Sequence, residues 1–382
     1  MRKVCYPAVV VSCFALLAVA CGSGQPAADA QAAAETGAAE APHAGAPPQP
    51  VESPGPPLET PDPRPLRLLG PLVVPDTTEA TMWLGRVDAI AYDPAADHLL
   101  VLDPQGRAVH EVTQAGRLVR SYGGKQGAGP GELRFAHDFG WSPSRVAIFA
   151  TTNGKLVLFH RDNGRFASEF RTEAHHRDVA LLGEDRVVFV PGAPGHAFDV
   201  YSIDGALIAS RGDAAALGSL CDDPGCSRRT HCPHCEVVTL GDSLIVVAEM
   251  DRTRLVVFDT TGAQRAVLHF ERDSELVRGW REEDGQNMTR PQAQGELLVM
   301  ESKHYFLDIS ALPGGWLGIA VTPSGPVFRQ AGREYWRVHP LERRIERFHY
   351  GGGTIGYKAS SGAVVFAVDS EDGGIYRYAF PE

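Results

Sequence analysis

The chain has 382 residues, of which 43% are hydrophobic and 22% are charged, and its formal net charge at pH 7 is -11. This length exceeds that of a typical single core but suits one large closed all-β domain, and the excess of carboxylates disfavours binding to nucleic acid and to anionic lipid surfaces. Acidic composition also maintains solubility, so the charge alone does not identify a partner.

The N-terminus has the pattern of a bacterial export signal. Arg2 and Lys3 precede a largely apolar run over residues 8–19, and Cys21 follows shortly after it. The run is too short to cross about 30 Å of hydrocarbon as a helix, which disfavours a membrane-spanning segment. The sequence therefore predicts a signal peptide over residues 1–20, and a retained membrane anchor is one alternative.

The residues around the predicted cleavage point, Ala18-Val19-Ala20-Cys21, resemble the lipobox of bacterial lipoproteins. The resemblance implies cleavage before Cys21 and transfer of a diacylglyceryl group to its thiol. Ala18 departs from the leucine that is usual at that position, and plain secretion after an A-x-A cleavage site is a second alternative. We expect an exported protein that is anchored in the cell envelope by lipid at Cys21, facing the periplasm or exposed at the surface.

The next segment consists mainly of Ala, Pro, Gly and acidic residues, with almost no large apolar side chains. Such a composition cannot bury enough surface to offset the entropy lost on ordering. Residues 21–65 are therefore predicted to be the lipidated cysteine and a disordered tether, which would let a folded domain stand clear of the membrane.

From residue 66 onward, short apolar runs alternate with turn residues, which is typical of β-strands joined by tight turns. The first group of runs is Asp88–Asp93, His98–Asp103, Arg107–Thr113 and Arg117–Gly123. The four-run unit recurs, and the sixth copy lacks its last run, which residues 66–74 could supply. We predict an all-β, six-bladed β-propeller over residues 66–382, closed by its N-terminal strand. Spacing alone also allows two packed sandwiches.

The segment Leu99–Leu133 resembles NHL-type repeats, and the domain looks like the bacterial six-bladed β-propeller lipoproteins. The resemblance is carried by the turn sequence Asp103-Pro-Gln-Gly-Arg107 and by the closing sequence G-x-G-P-G-E-L, which ends at Leu133. In that family, such a closing sequence implies passage of the chain to the next blade.

Two long connections interrupt the regular rhythm, over residues 212–235 and 273–303. Connections on a rigid scaffold commonly carry binding residues. We expect both connections to lie on one face of the propeller and to bind an unknown protein or glycan.

The first connection holds four clustered cysteines. They are Cys221, Cys226, Cys232 and Cys235. An even number of cysteines in an exported protein predicts two disulfides, which would stiffen the connection. A zinc site made from these thiolates with His231 or His234 is an alternative, and a redox pair within Cys232-Pro-His-Cys235 is another.

Four acidic residues begin the predicted innermost strands. They are Asp88, Asp138, Asp178 and Glu236. If these carboxylates approach the axis together, they could bind calcium or zinc. The resemblance to six-bladed propellers, which include metal-dependent lactonases and lyases, implies that such a site could be catalytic. Otherwise these carboxylates cap the strand entrances.

The sequence contains no nucleophile elbow, phosphate-binding loop or His-Glu-x-x-His motif. We therefore expect a monomeric, membrane-anchored binding or scaffolding module without a cofactor and without affinity for nucleic acid. A metal-dependent hydrolase or lyase is the alternative function, and a redox-active protein is a further one.

Overall fold

The computed structural model describes residue 58 and residues 61–73, 85–172, 176–214, 235–249, 254–270, 306–321, 334–350, 355–369 and 373–381. Regular structure in these residues consists of β-strands and two short 3-10 turns, Thr151–Asn153 and Pro313–Gly315. Across these ranges no helix is long and apolar enough to span a membrane.

Sixteen of the strands form four separate four-stranded antiparallel sheets, in which strands adjacent in sequence are adjacent in space. The first sheet comprises β2 (Ala89–Asp93), β3 (His98–Asp103), β4 (Ala108–Thr113) and β5 (Leu118–Gly123). The second comprises β6 (Asp138–Trp141), β7 (Arg145–Ala150), β8 (Lys155–His160) and β9 (Phe166–Arg171). The third comprises β10 (Asp178–Leu182), β11 (Arg186–Val190), β12 (His196–Ser202) and β13 (Leu207–Asp213). The fourth comprises β14 (Cys235–Leu240), β15 (Leu244–Glu249), β16 (Arg254–Asp259) and β17 (Gln264–His269).

The remaining strands form one eight-stranded sheet in the order β18-β19-β20-β21-β1-β24-β23-β22. Its first half comprises β18 (Phe306–Leu312), β19 (Trp316–Val321), β20 (Glu334–His339) and β21 (Arg344–Tyr350). Its second half comprises β22 (Ile355–Ser360), β23 (Val364–Asp369), β24 (Ile375–Ala379) and the N-terminal strand β1 (Arg64–Val73). The sequence predicts six separate four-stranded sheets. The structure differs because the strands of the last two predicted units belong to one eight-stranded sheet. The count of six blades therefore stays a prediction.

Apolar side chains lie between successive sheets. Between the first and second sheets, for example, Leu100 and Tyr122 pack with Phe139 and Ile148. Comparable clusters join the second sheet to the third, the third to the fourth, and the fourth to β18–β20. Further clusters join the two halves of the eight-stranded sheet and then join β22–β24 to the first sheet. The series returns to its start, which is the arrangement of a β-propeller.

The N-terminal strand lies in the middle of the eight-stranded sheet, between β21 and β24. Arg67–Val73 pairs antiparallel with β24, as predicted for a closing strand, while Arg64–Leu66 pairs parallel with the end of β21. Upstream, the buried Leu58 forms a bridge to Phe270 and donates its backbone N–H to the His269 carbonyl at 3.0 Å. These pairings place residues from the predicted tether, which was expected to extend to residue 65, against the folded domain.

Candidate functional site

Three of the four predicted metal candidates lie at the beginning of innermost strands, as the sequence indicated. Asp138 is the first residue of β6, Asp178 is the first residue of β10, and Glu236 is the second residue of β14. Since β6, β10 and β14 are neighbouring innermost strands, their first residues meet at one end of the sheets. We call Asp138, Asp178 and Glu236 the carboxyl series.

Each member of the carboxyl series accepts a hydrogen bond from the backbone of the next innermost strand. Asp138 Oδ2 accepts from the Val179 N–H at 2.8 Å, and Asp178 Oδ2 accepts from the Val237 N–H at 2.5 Å. Glu236 Oε2 continues the series by accepting from the Ile309 N–H in β18 at 3.1 Å. The carboxyl groups therefore connect four successive innermost strands.

The carboxyl series lies in an environment that favours protonated acids. Burial and the nearby charge of Asp178 raise the pKa of Asp138 well above its ordinary value. Burial and the charges of Asp308 and Asp178 do the same to the pKa of Glu236. Burial also raises the pKa of Asp178, although hydrogen bonds from Asp138 and from two backbone N–H groups oppose the shift. A hydrogen bond between the Asp138 and Asp178 side chains is consistent with a proton held between them.

Asp88 does not take part in this arrangement. It precedes β2, and its Oδ1 lies 2.6 Å from Nε of the exposed Arg86. Across the ranges given above, no three His, Cys, Asp or Glu side chains are grouped closely enough to hold a metal ion. A calcium or zinc site at these carboxylates stays a prediction, and the described residues contain no ligand cluster for it.

Cys235 is the first residue of β14 and is 3% exposed. It packs in the cluster between the third and fourth sheets, and it is disulfide-bonded. The other predicted cysteines of the connection, Cys221, Cys226 and Cys232, lie outside the described residues, and so do Cys21 and the connection 273–303. The pairing of the cysteines and the lipid at Cys21 stay predictions.

Sequence analysis did not identify Lys155, whose ammonium group is buried beside the connection between the first and second sheets. Its Nζ donates to the carbonyls of Gly129 and Glu132, at 2.8 and 2.9 Å, and lies 2.9 Å from Glu169 Oε2. Gly131 has a left-handed φ of 72° and donates its N–H to the same carboxylate at 2.8 Å. The G-x-G-P-G-E-L sequence thus folds around a lysine from β8.

A second group that sequence analysis missed is an ion-pair network between the first and second sheets. Arg161 Nη2 lies 2.5 Å from Asp93 Oδ2 and 2.9 Å from Glu111 Oε1, and all three residues are buried. Tyr122 donates its hydroxyl to Glu111 Oε2 at 2.5 Å, and His98 Nδ1 lies 2.9 Å from Oε1. Burial raises the pKa of Glu111, but these hydrogen bonds outweigh it and lower the pKa below its ordinary value. The sequence offered one signal of this network, which is that Arg161 directly follows the apolar run of β8.

A comparison with protein families finds no matching family, and a comparison with curated proteins finds no match. Among solved structures, a Bacteroides fragilis protein provisionally described as exported has a TM-score of 0.52 and 11% identity, over 83% of this chain and 95% of that one. The β-propeller domain of Cps50 (Swd1) from Myceliophteria thermophila has a TM-score of 0.47 and 11% identity, over 83% of this chain and all (100%) of that one. Streptogramin B lyase has a TM-score of 0.44 and 10% identity, over 83% of this chain and 88% of that one. At such identities the similarities extend to the fold alone; the order and packing of the sheets make that fold a β-propeller.

Proposed function

We propose that this protein is an exported, lipid-anchored β-propeller that binds a protein or glycan at the cell envelope without catalysing a reaction. The observation that carries the proposal is the engagement of the carboxyl series. Its members were the strongest candidates for chemistry, and each gives a carboxyl oxygen to a backbone N–H of the next strand. Oxygen atoms used in this way position strands and leave fewer lone pairs for a metal or substrate.

The proposal includes six blades, with the eight-stranded sheet counted as two. Among the described strands, the backbone pairing that joins its halves is the short parallel pairing of Arg64–Leu66 with β21. Tyr335 and Phe348 from one half pack against Val365 and Tyr378 from the other, as side chains do between separate sheets. This face-to-face packing supports two adjacent blades rather than one continuous wide sheet.

Export and anchoring rest on the predicted signal peptide, residues 1–20, and on Cys21. Similarity to the Bacteroides fragilis protein described as exported is compatible with this location. Changing Cys21→Ser should move the protein to the soluble fraction or leave an uncleaved precursor. Maturation and membrane partitioning equal to those of the wild type would contradict lipidation.

The binding face in this proposal is the end of the sheets that carries the carboxyl series. Strands within each blade alternate in direction, so each outermost strand ends, and the next innermost strand begins, at this end. The proposal assigns partner binding to the long connections 212–235 and 273–303, which follow outermost strands in the sequence.

A photo-crosslinking residue at position 284, compared with one at Asn163 in the exposed turn between β8 and β9, tests the face directly in cells. Crosslinks to a protein or to cell-wall glycan should form from position 284 and not from position 163. Crosslinks from position 163 alone would place the partner on the wrong face.

The alternative function, a metal-dependent hydrolase or lyase, is tested on the same protein. The triple variant Asp138→Asn, Asp178→Asn, Glu236→Gln keeps an oxygen acceptor at each position but removes the charge. We expect the crosslinking yield to persist and elemental analysis to find no stoichiometric calcium or zinc in either protein. A metal ion lost in the variant together with a lactonase or lyase activity would overturn the proposal.

A further inference from the structure

A cavity of about 290 Å³ opens at the other end of the sheets, away from the carboxyl series. It lies between the fourth sheet and β18–β21, where the turns after β14, β18 and β20 come together. Its wall is formed by aliphatic side chains, including Leu240, Leu244, Leu312 and Leu341, by turn glycines and by His339. Since an apolar cavity of about 150 Å³ accommodates benzene, this cavity has room for a ligand of one or two rings.

The imidazole of His339 presents a hydrogen-bond donor at this wall. Its Nδ1 accepts the backbone N–H of Glu342 at 3.2 Å, so the neutral ring carries its proton on Nε2. The Nε2 atom lies beside Gly315, where an added Cβ would be 3.2 Å away. Gly315 has a left-handed φ of 78°, and its lack of a side chain leaves the space in front of Nε2 open.

Aromatic packing fixes the orientation of the imidazole ring. The ring of Trp316 meets it edge to face, with centroids 5.4 Å apart. The guanidinium groups of Arg337 and Arg344 lie over Trp316, each 5.0 Å from its centroid. The donor direction is therefore set before any ligand enters, which lowers the entropic cost of binding.

Glu342 decides which polar group a ligand can carry. Its Oε2 is paired with Arg344 Nη1 at 3.1 Å, whereas its Oε1 lies 3.7 Å from His339 Nε2, which is beyond a normal hydrogen bond. An anionic ligand group at Nε2 would have no proton to donate to Oε1. A hydroxyl group can accept a hydrogen bond from the Nε2–H group and donate a hydrogen bond to the carboxylate. An aromatic hydrocarbon fills the cavity but makes neither hydrogen bond.

We propose that this cavity, lined by aliphatic side chains and by His339, whose Nε2 lies near the Glu342 carboxylate, binds an uncharged one- or two-ring alcohol. The apolar body of the ligand occupies the space between Leu244, Leu312 and Leu341. Its hydroxyl group bridges His339 and Glu342. This site is separate from the partner-binding face proposed above and does not depend on it.

Saturation-transfer NMR on the full chain in lipid nanodiscs tests the proposal, with empty nanodiscs as the reference for partitioning into lipid. The probes are 2-naphthol, naphthalene and 2-naphthoate. We expect 2-naphthol to bind about 3- to 10-fold more tightly than naphthalene, the effect of one net hydrogen bond, and 2-naphthoate to bind more weakly than either. No binding of 2-naphthol above the reference, or equal binding of the naphthoate, would overturn the proposal.

Variants separate the polar and apolar contributions. His339→Phe keeps a ring against Trp316 and should reduce 2-naphthol binding to the level of naphthalene, while His339→Gln, which retains an N–H donor, should restore part of the difference. Leu341→Ala should weaken all binding, whereas Leu207→Ala should not, although the two leucines have similar exposures of 52% and 54%. Equal effects of the two alanine variants, at unchanged thermal stability, would assign the signal to nonspecific surface contact.

Discussion

Asp178 Oδ2 accepts a hydrogen bond from the backbone N–H of Val237, 2.5 Å away and 59 residues later in the chain. The bond crosses from the third sheet to the fourth at the start of their innermost strands. A carboxyl group in this position connects the two sheets, and its charge affects the pKa of both other members of the carboxyl series, Asp138 and Glu236. The folding stability of the domain should therefore depend on pH.

We expect stability to fall as pH rises from about 5, just above the ordinary pKa range of carboxyl groups, toward alkaline pH. The folded pKa of Asp138 and Glu236 is raised, so the folded state binds more protons than the unfolded state and its advantage is lost as those protons dissociate. The slope is at most about 1.4 kcal/mol per pH unit for each proton. Thermal unfolding across this range measures it.

The variant Asp138→Asn provides the control, because an amide oxygen still accepts from Val179 but does not ionise. Its melting temperature should depend less on pH than that of the wild type. A wild-type melting temperature that rises steadily from pH 5 to 9 would contradict the assignment of raised pKa values.

Replacing Lys155 by Met should destabilise the domain by about 2–4 kcal/mol, because the carbonyls of Gly129 and Glu132 and the carboxylate of Glu169 lose a buried cation. Chemical denaturation of the variant measures the loss. Lys125→Met, at an exposed lysine of the same connection, should change stability by less than about 0.5 kcal/mol. Adding Glu169→Gln to the Met variant should recover part of the loss, and failure to do so would argue against the ion pair.

Replacing Arg161 by Met should cost about 3–5 kcal/mol, since Asp93 and Glu111 would remain as buried charges without their cation. The pKa of Glu111 should rise in this variant, because the guanidinium is one of the groups that lower it. Arg165→Met, at an exposed position in the following turn, is the matched control. Similar unfolding free energies for the two variants would show that the network is not important for stability.

Truncations test the N-terminal segment, residues 58–73, which contains Leu58 and β1. Deleting residues 22–57 should leave the melting temperature unchanged, since Leu58 and β1 remain. Deleting 22–60 removes the buried Leu58 and should cost about 1–3 kcal/mol, and deleting 22–75 removes the pairing with β24 and should destabilise the whole domain. Equal melting temperatures for the three truncations would contradict a closing role.

Thiol counting tests the cysteine prediction. Under denaturing, non-reducing conditions we expect no free thiol at the predicted disulfide positions, which are Cys221, Cys226, Cys232 and Cys235. Cys235 is disulfide-bonded and buried, so its disulfide is attached directly to the core between the sheets. Four free thiols with one zinc ion per chain would favour the metal alternative instead.

The strand pattern could be predicted from the sequence because it depends on local features. The run predicted at His98–Asp103 is β3 with the same bounds, and Asp138 and Asp178 begin β6 and β10 as expected. Alternation of apolar residues and turn residues acts over a few positions, so a single sequence contains it. The same pattern indicated that the N-terminal strand would be needed to complete the last unit, and this strand pairs with β24.

Tertiary structure decided what the polar residues do. No local pattern indicates that Asp178 bonds to Val237, that Lys155 enters the preceding connection, or that Leu58 pairs beside Phe270. These contacts join residues that are far apart in sequence, and they depend on how closely the sheets pack and on which buried groups need a partner. Sequence by itself therefore determined the strands and the propeller class, whereas the packing between sheets determined that the carboxyl series connects neighbouring strands.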